Sequence, residues 1–371
     1  ISHYQQVYVH FQYVLNSSFE IFSAGKLREV LCCVMGTMIS WKLLLLQRQI
    51  VLRESKDLLD QTLDIDGHSF VSYSKRREGS ELGHHCRHKG KHTFQGSASF
   101  IGKIFIDFKL FPGSVNVCTF FQKAVKRAKS IGYFFQIVRA DTIYGTVKNL
   151  LFLEKLSLSY VMGVSASLVD IKKSKKMFQK LCRKGSKKII HMSKGSDIFE
   201  LGLVNVSNIF FIPIYRRVIL CRRIHRKRKN GKWKIKVYFY ALVTNLDWTP
   251  RQIFRFYHQR QRIENGFKEL AYHYNFNKLC TRSLKANEFV LITKIFAMTM
   301  TKIFAENVLT QKFKNMRLRT LIRVLFACSI SHVKNQKVHL LPKPKCLWHL
   351  KRIFGKLPQN KFLREPFQLA A

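Results

Sequence analysis

Between Gln61 and Val164 the apolar residues change their spacing repeatedly. Dense runs of Ile, Phe, Val and Leu occupy Gln61 to Ile65, Ala98 to Phe111, Phe134 to Val138 and Tyr160 to Val164. Segments with apolar residues three or four apart fall between them, through Phe120 to Ala128 and across 146–155. The first spacing suits strands and the second suits helices. Strands that alternate with helices predict a mixed α/β sheet rather than a bundle or a sandwich.

The flanks follow the same logic. Lys26 to Glu54 reads as one or two amphipathic helices, and the polar stretch Ser72 to Gly96 as loop and turn. Lys172 to Lys188 is lysine-rich and helical or irregular. Val218 to Ile224 and Trp233 to Thr244 then flank Lys229-Asn230-Gly231-Lys232, a hairpin signal. Thr249-Pro250 caps a long helix running to about Ala271, and a second, mostly apolar helix spans Lys285 to about Leu309. The predicted divisions are a helical segment over 1–58, the first part of the core over 59–165, a basic β-rich insertion with its return strand over 166–246, two helices over 247–310, and a basic helical region over 311–371.

Composition narrows the partner. The 371 residues are 47% hydrophobic, enough for real cores, so a disordered basic tail is excluded. Against 66 Lys and Arg stand only 21 Asp and Glu, a formal charge of +45 that predicts a polyanion, nucleic acid first. The 9 cysteines form no CxxC pair, which suits a reducing compartment and predicts a cytoplasmic, nucleoid-associated protein. Val30 to Trp41, an apolar stretch near the start, is too short to cross a bilayer, so no membrane partner is expected.

In so basic a chain a few carboxylates stand out. Asp64 and Asp66 leave the first strand, Asp141 ends a central strand, and Glu264 lies within the long helix. Ligands of α/β sheets collect at the carboxyl ends of strands, which suits Asp66 and Asp141. Phosphodiester chemistry by two divalent cations about 3.5–4 Å apart needs a few such carboxylates, with Lys and Arg around them to hold the backbone. The bland reading makes them loop caps and an ion pair between Glu264 and Arg260.

Around Glu264 the chain reads YHQRQRIENGFKEL, with Tyr257, Arg260 and Glu264 at i, i+3 and i+7. This resembles the Tyr-Arg-Glu-Lys signature of the DDE transposases of bacterial insertion sequences. LDIDGH at 63–68, FPGSVNV at 111–117, IVRADTIY at 137–144, YFYALVTNL at 238–246, LCTRSLKANEF at 279–289 and LRTLIRVLF at 318–326 are similar to the same group, in the same order. Within it the nearest resemblance is to the thirteen-eighty insertion-sequence type. The resemblance covers roughly residues 60 to 355. It implies a ribonuclease H-like core interrupted by a mostly β insertion, and a transposase that cuts and transfers DNA strands. It also implies Asp66, Asp141 and Glu264 as catalytic metal ligands, two Mg²⁺ or Mn²⁺ ions, and a homodimer on double-stranded DNA, both terminal repeats and target. Asp64 stays a rival for the first position, since it shares a strand face with Asp66. Ala271 stands where the group carries Lys, leaving Lys268 as the substitute, and Phe111-Pro112-Gly113-Ser114 departs from the group's Arg-Pro-Gly-Asn. Such drift fits a decayed copy, and a non-catalytic transposase-derived DNA-binding protein is the alternative.

Expected DNA contacts are Tyr257, Arg260 and Lys268 on the helix, Arg139 beside the second Asp, and Arg222, Arg223, Arg226, Arg228, Lys232 and Trp233 on the basic hairpin. His84, His85, Cys86, His88 and His92 lack a second ligand pair at finger spacing and read as a structural or DNA-facing loop rather than a zinc site.

Overall fold

The structure, a computed structural model, describes residues 37–83, 89–164, 178–181, 188–192, 196–206, 214–229, 232–309, 311–314, 329–334 and 337–342, together with Lys176 and Thr320. Residues 84–88 of the histidine-rich loop, most of Lys172 to Lys188, the Asn230-Gly231 turn, the segment before Thr37 and most of 318–326 lie outside these.

Ten strands form one sheet. β1 (Thr62–Val71) lies between antiparallel β3 (His92–Ile101) and parallel β5 (Ile137–Ala140), and β3 pairs on with β4 (Ile104–Pro112). The two-residue β2 (Glu81–Leu82) also pairs with β3, and β6 (Ser159–Val164) extends the sheet parallel to β5. An antiparallel meander followed by two parallel strands is the expected ribonuclease H-like core. Beyond β6 the sheet continues through β10 (Lys232–Thr244), β9 (Tyr215–Lys229), β8 (Ser196–Asn205) and β7 (Ile190–Met192), which form the mostly β insertion.

Helices cover this sheet because their apolar residues fall on one stripe. α2 (Phe121–Ile131) buries Phe121, Ala124, Val125, Ala128 and Ile131, spaced three and four apart, and stops at Gly132, whose φ of 93° is left-handed. α3 (Val147–Lys155) starts on Thr146, whose side chain accepts from Asn149 N. The long α6 (Leu284–Val308) packs against β4 and α1 (Thr37–Glu54). Its second turn is anchored by Glu288, which accepts from Leu110 N and Lys109 Nζ, each at 2.9 Å. No described helix is long and apolar enough to cross a membrane.

Four expectations change. The first strand continues six residues past Ile65, because its second half keeps an antiparallel partner in β3 after its parallel partner ends. Asp66 therefore lies within a strand instead of at its end. The run Ala98 to Phe111 is two strands folded at Gly102, whose φ of 60° and approach to Leu58 O leave no room for a side chain. The single helix over 250–271 divides into α4 (Pro250–His258) and α5 (Gln261–His273). In the C-terminal region, expected to be helical, Ser329–Lys334 and Lys337–Pro342 form a hairpin.

Candidate active site

Parallel pairing between β1 and β5 ends at the rung Ile65↔Ala140. The next residue on each strand is Asp66 and Asp141, so register alone puts the two carboxylates side by side. Asp66 Oδ1 accepts from Gly67 N at 2.9 Å. Asp141 caps the turn Thr142–Tyr144 by accepting from Thr142 N at 2.7 Å. That turn lies directly on β6, where a Cβ on Gly145 would stand 1.8 Å from Gly163 O. Two facing glycines thus let the Asp141 turn sit against the sheet.

The third carboxylate arrives from a distant helix. Thr249 and Gln252 form a capping box that starts α4, with Pro250 in the first turn. Gly266 lets α5 lie on the sheet, since a Cβ there would meet the Phe105 ring at 2.8 Å. Between the two helices, at their break, stands Arg260. Its guanidinium reaches Asp66 at 3.0 Å, Glu264 at 2.5 Å and Asp141 at 3.9 Å. Tyr257 Oη adds a 3.4 Å hydrogen bond to Asp141 Oδ1.

Electrostatics follows from this crowding. Asp66, with 14% of its side chain exposed, is pushed up to about 6, first by burial and then by Asp141 and Glu264, against the pull of Arg260 and the Gly67 N–H. Burial works against the charge on Arg260, but Asp66, Asp141, Tyr257 and Glu264 outweigh it and hold its pKa above the ordinary arginine range. Burial, then Asp141, raises the Tyr257 phenol, which stays a neutral donor. Tyr144, wholly buried behind Gly67, keeps its hydroxyl without a hydrogen-bond partner among the described residues, and burial and Asp66 raise its pKa well above the usual value.

The transposase DDE domain family matches residues 57–300, the span that runs from just before Asp66 to well past Glu264. The chain belongs to that family. No curated protein matches it. Within this DDE transposase domain, the sheet and two helices bring together all three predicted carboxylates with Arg260 and Tyr257.

Two other predictions meet a different structure. Arg139 Nε and Nη2 donate to Asp64 at 2.6 and 2.7 Å, both side chains are 0% exposed, and Nη1 donates to Phe256 O. The guanidinium also lies over the Phe256 ring at 4.6 Å. Arg139 is therefore a buried strut between β1, β5 and α4 and does not reach the surface as a DNA contact. Asp64, the rival first carboxylate, is consumed by the same pair. Arg262, 3.9 Å from Asp64 and 2.6 Å from Asp60, extends this inner layer. Opposite charges at Asp64 and Arg139, each two residues before a predicted ligand, were the available sign.

Elsewhere in the transposase domain, Lys268 is exposed on α5, while Arg222 pairs with Asp197 and lies over the Phe178 ring at 5.5 Å. Arg222 is thus held on the sheet by a carboxylate. Arg223, its neighbour, is exposed. Arg226, Arg228, Lys232 and Trp233 fall on β9 and β10, with Trp233 opposite Arg228, and their side chains lie outside the described residues. His92, expected in the loop, is instead the first residue of β3, and its Nδ1 lies 2.8 Å from Ser80 O.

No three His, Cys, Asp or Glu side chains among the described residues converge as they stand on a single ion. The three carboxylates instead surround a guanidinium, so the space between them is already shaped around positive charge. Carboxylate oxygens are the donors that hard divalent cations take. Asp66, Asp141 and Glu264 accordingly fit a divalent cation.

Proposed function

We propose that the chain cuts DNA at the terminal repeats of its own insertion sequence and joins the freed ends to target DNA. The observation that carries this reading is the meeting of Asp66, Asp141 and Glu264, from three remote stretches, on the Arg260 guanidinium. Asp66, Asp141 and Glu264 would hold two Mg²⁺ or Mn²⁺ ions, which would supply Lewis-acid activation at the attacking oxygen and charge stabilisation at the leaving oxygen.

The chain's own residues do the rest. Arg260 is set to exchange a carboxylate for a phosphate oxygen of the strand being cut, a planar, always charged partner for it. Tyr257, neutral and anchored on Asp141, positions that strand. Lys268 stands one turn past Glu264 on α5 as the further phosphate contact. Arg223, Arg226, Arg228, Lys232 and Trp233 on the basic hairpin lie along the duplex, and the charge of +45 supports a long phosphate footprint. A homodimer on paired ends and the thirteen-eighty type of element complete the proposal.

The test is nicking of terminal-repeat DNA with Mg²⁺ by the full chain, beside Asp141→Ala and Glu264→Gln. The reading expects loss of at least about a hundredfold with either substitution, the scale of removing a group that acts in the transition state. Cleavage that survives both substitutions would refute the assignment. Salt-dependent binding without any nicking would place the chain with non-catalytic relatives.

A further inference from the structure

The helix that carries Tyr257 to Asp141 turns another face toward the edge of the insertion. There α4 and β7 flank an open cleft of about 330 Å³ lined by His191, Met192, Arg251, Phe254, Arg255 and His258. Arg251, Phe254, Arg255 and His258 are spaced three, one and three apart, one stripe of the helix. Phe254 is buried and packs against His258 with ring centroids 4.1 Å apart, so the wall has an apolar floor and a cationic rim.

Among the described residues the rim charges are uncompensated. Arg127, Arg216, Arg217, Arg222, Arg260 and Arg262 are each held by a carboxylate. Arg251 and Arg255 are exposed and make no hydrogen bond or ion pair among the described residues. Arg223 is the same, and pairing of Met192 with Ser196 and of Ser196 with Arg223 places it on the sheet face that looks toward α4. Asp197, one residue on and so on the other sheet face, is shared by His191 at 2.6 Å and Arg222. Burial and then the charge of Arg223 hold His258 below the usual histidine range, as expected where cations crowd. The volume lies at the lower end of what small-ligand sites enclose.

We propose that this cleft seats one phosphodiester unit of DNA, its phosphate among Arg251, Arg255 and Arg223 and its sugar against Met192 and Phe254. The inference rests on DNA being the substrate. It places a strand anchor on the same helix as Tyr257, whose hydroxyl reaches Asp141. Because one rigid helix carries both the anchor and Tyr257, a strand held in the cleft is indexed to the cutting site.

The experiment is fluorescence anisotropy of a terminal-repeat duplex with the full chain across a salt series, for the natural protein, Arg251→Ala with Arg255→Ala, and Arg251→Lys with Arg255→Lys. Losing the hold on that one phosphate is expected to lower the slope of log affinity on log salt by about 0.9, roughly fivefold in affinity near 0.15 M salt. The Lys pair is expected to restore most of both. A double Ala variant that melts at the natural temperature and binds with unchanged slope overturns the cleft and leaves the nuclease reading standing. A natural protein with no salt-dependent DNA binding overturns both. Protection of the two arginines from phenylglyoxal by inorganic phosphate but not by duplex overturns the DNA assignment in favour of a free phosphate.

Discussion

Arg139 and Asp64 form a doubly hydrogen-bonded ion pair, at 2.6 and 2.7 Å, that no solvent reaches, two residues before Asp141 and Asp66 on the same two strands. The layer behind the acid cluster is thus itself ionic. Removing one partner strands the other in a dry interior, which costs about 3–5 kcal/mol. Arg139→Met or Asp64→Asn is therefore expected to shift the urea midpoint strongly. Near-natural stability for both variants would show that the pair is not the strut described here.

Asp66 is expected to behave in the opposite way. Its folded pKa, about 6, lies above the ordinary 3.8, so the folded state binds this proton more tightly than the unfolded chain does. Ionised Asp66 therefore opposes folding. Its penalty is absent below about pH 4, grows as pH rises through the interval to 6, and is constant above, at about 3 kcal/mol as an upper bound. Asp66→Asn should raise the melting temperature at pH 7.5 while abolishing cleavage, and lose that advantage at pH 4. Equal shifts at the two pH values would contradict the assignment of this titration to Asp66.

Arg260 neutralises the same carboxylates that fit divalent cations, so the two compete. Arg260→Ala leaves Asp66 and Glu264 without their counter-charge and is expected to cost about 1–3 kcal/mol in metal-free buffer at low salt. Millimolar Mg²⁺ should then raise the melting temperature of the variant by more than that of the natural protein. Identical Mg²⁺ responses would show that Arg260 does not stand in the cation's place.

The seat of Asp141 depends on backbone contact rather than charge. A methyl group at Gly145 would collide with Gly163 O at 1.8 Å, and one at Gly163 with Thr142 N at 2.8 Å. Gly145→Ala or Gly163→Ala should each cost about 1–3 kcal/mol by forcing the turn off β6. Nicking should fall further than DNA binding, because the displaced group is a carboxylate and not a phosphate contact. Parallel losses in both assays would argue for global damage instead.

Much of this was legible before any fold. Apolar spacing reveals α2, α3 and the strands because burial on one face writes a local period. Thr249-Pro250 announces α4 through capping chemistry, and scarce acids in a chain of charge +45 mark Asp66, Asp141 and Glu264 as candidates. Each of these signals is local, carried within a few residues or by composition.

What the sequence left open was pairing across distance. Asp64 and Asp66 share a strand face and look alike in sequence, yet β5 brings Arg139 to Asp64 and ends before it can do the same for Asp66. The break between α4 and α5 aims Arg260 at three carboxylates that lie up to 194 positions away. β3 prolongs β1 beyond its apolar run, so Asp66 is held inside a strand. The choice between a structural and a reactive carboxylate depends on strand register and on where a neighbouring strand stops. Those are set by the packing of segments remote in the chain, which no local pattern encodes.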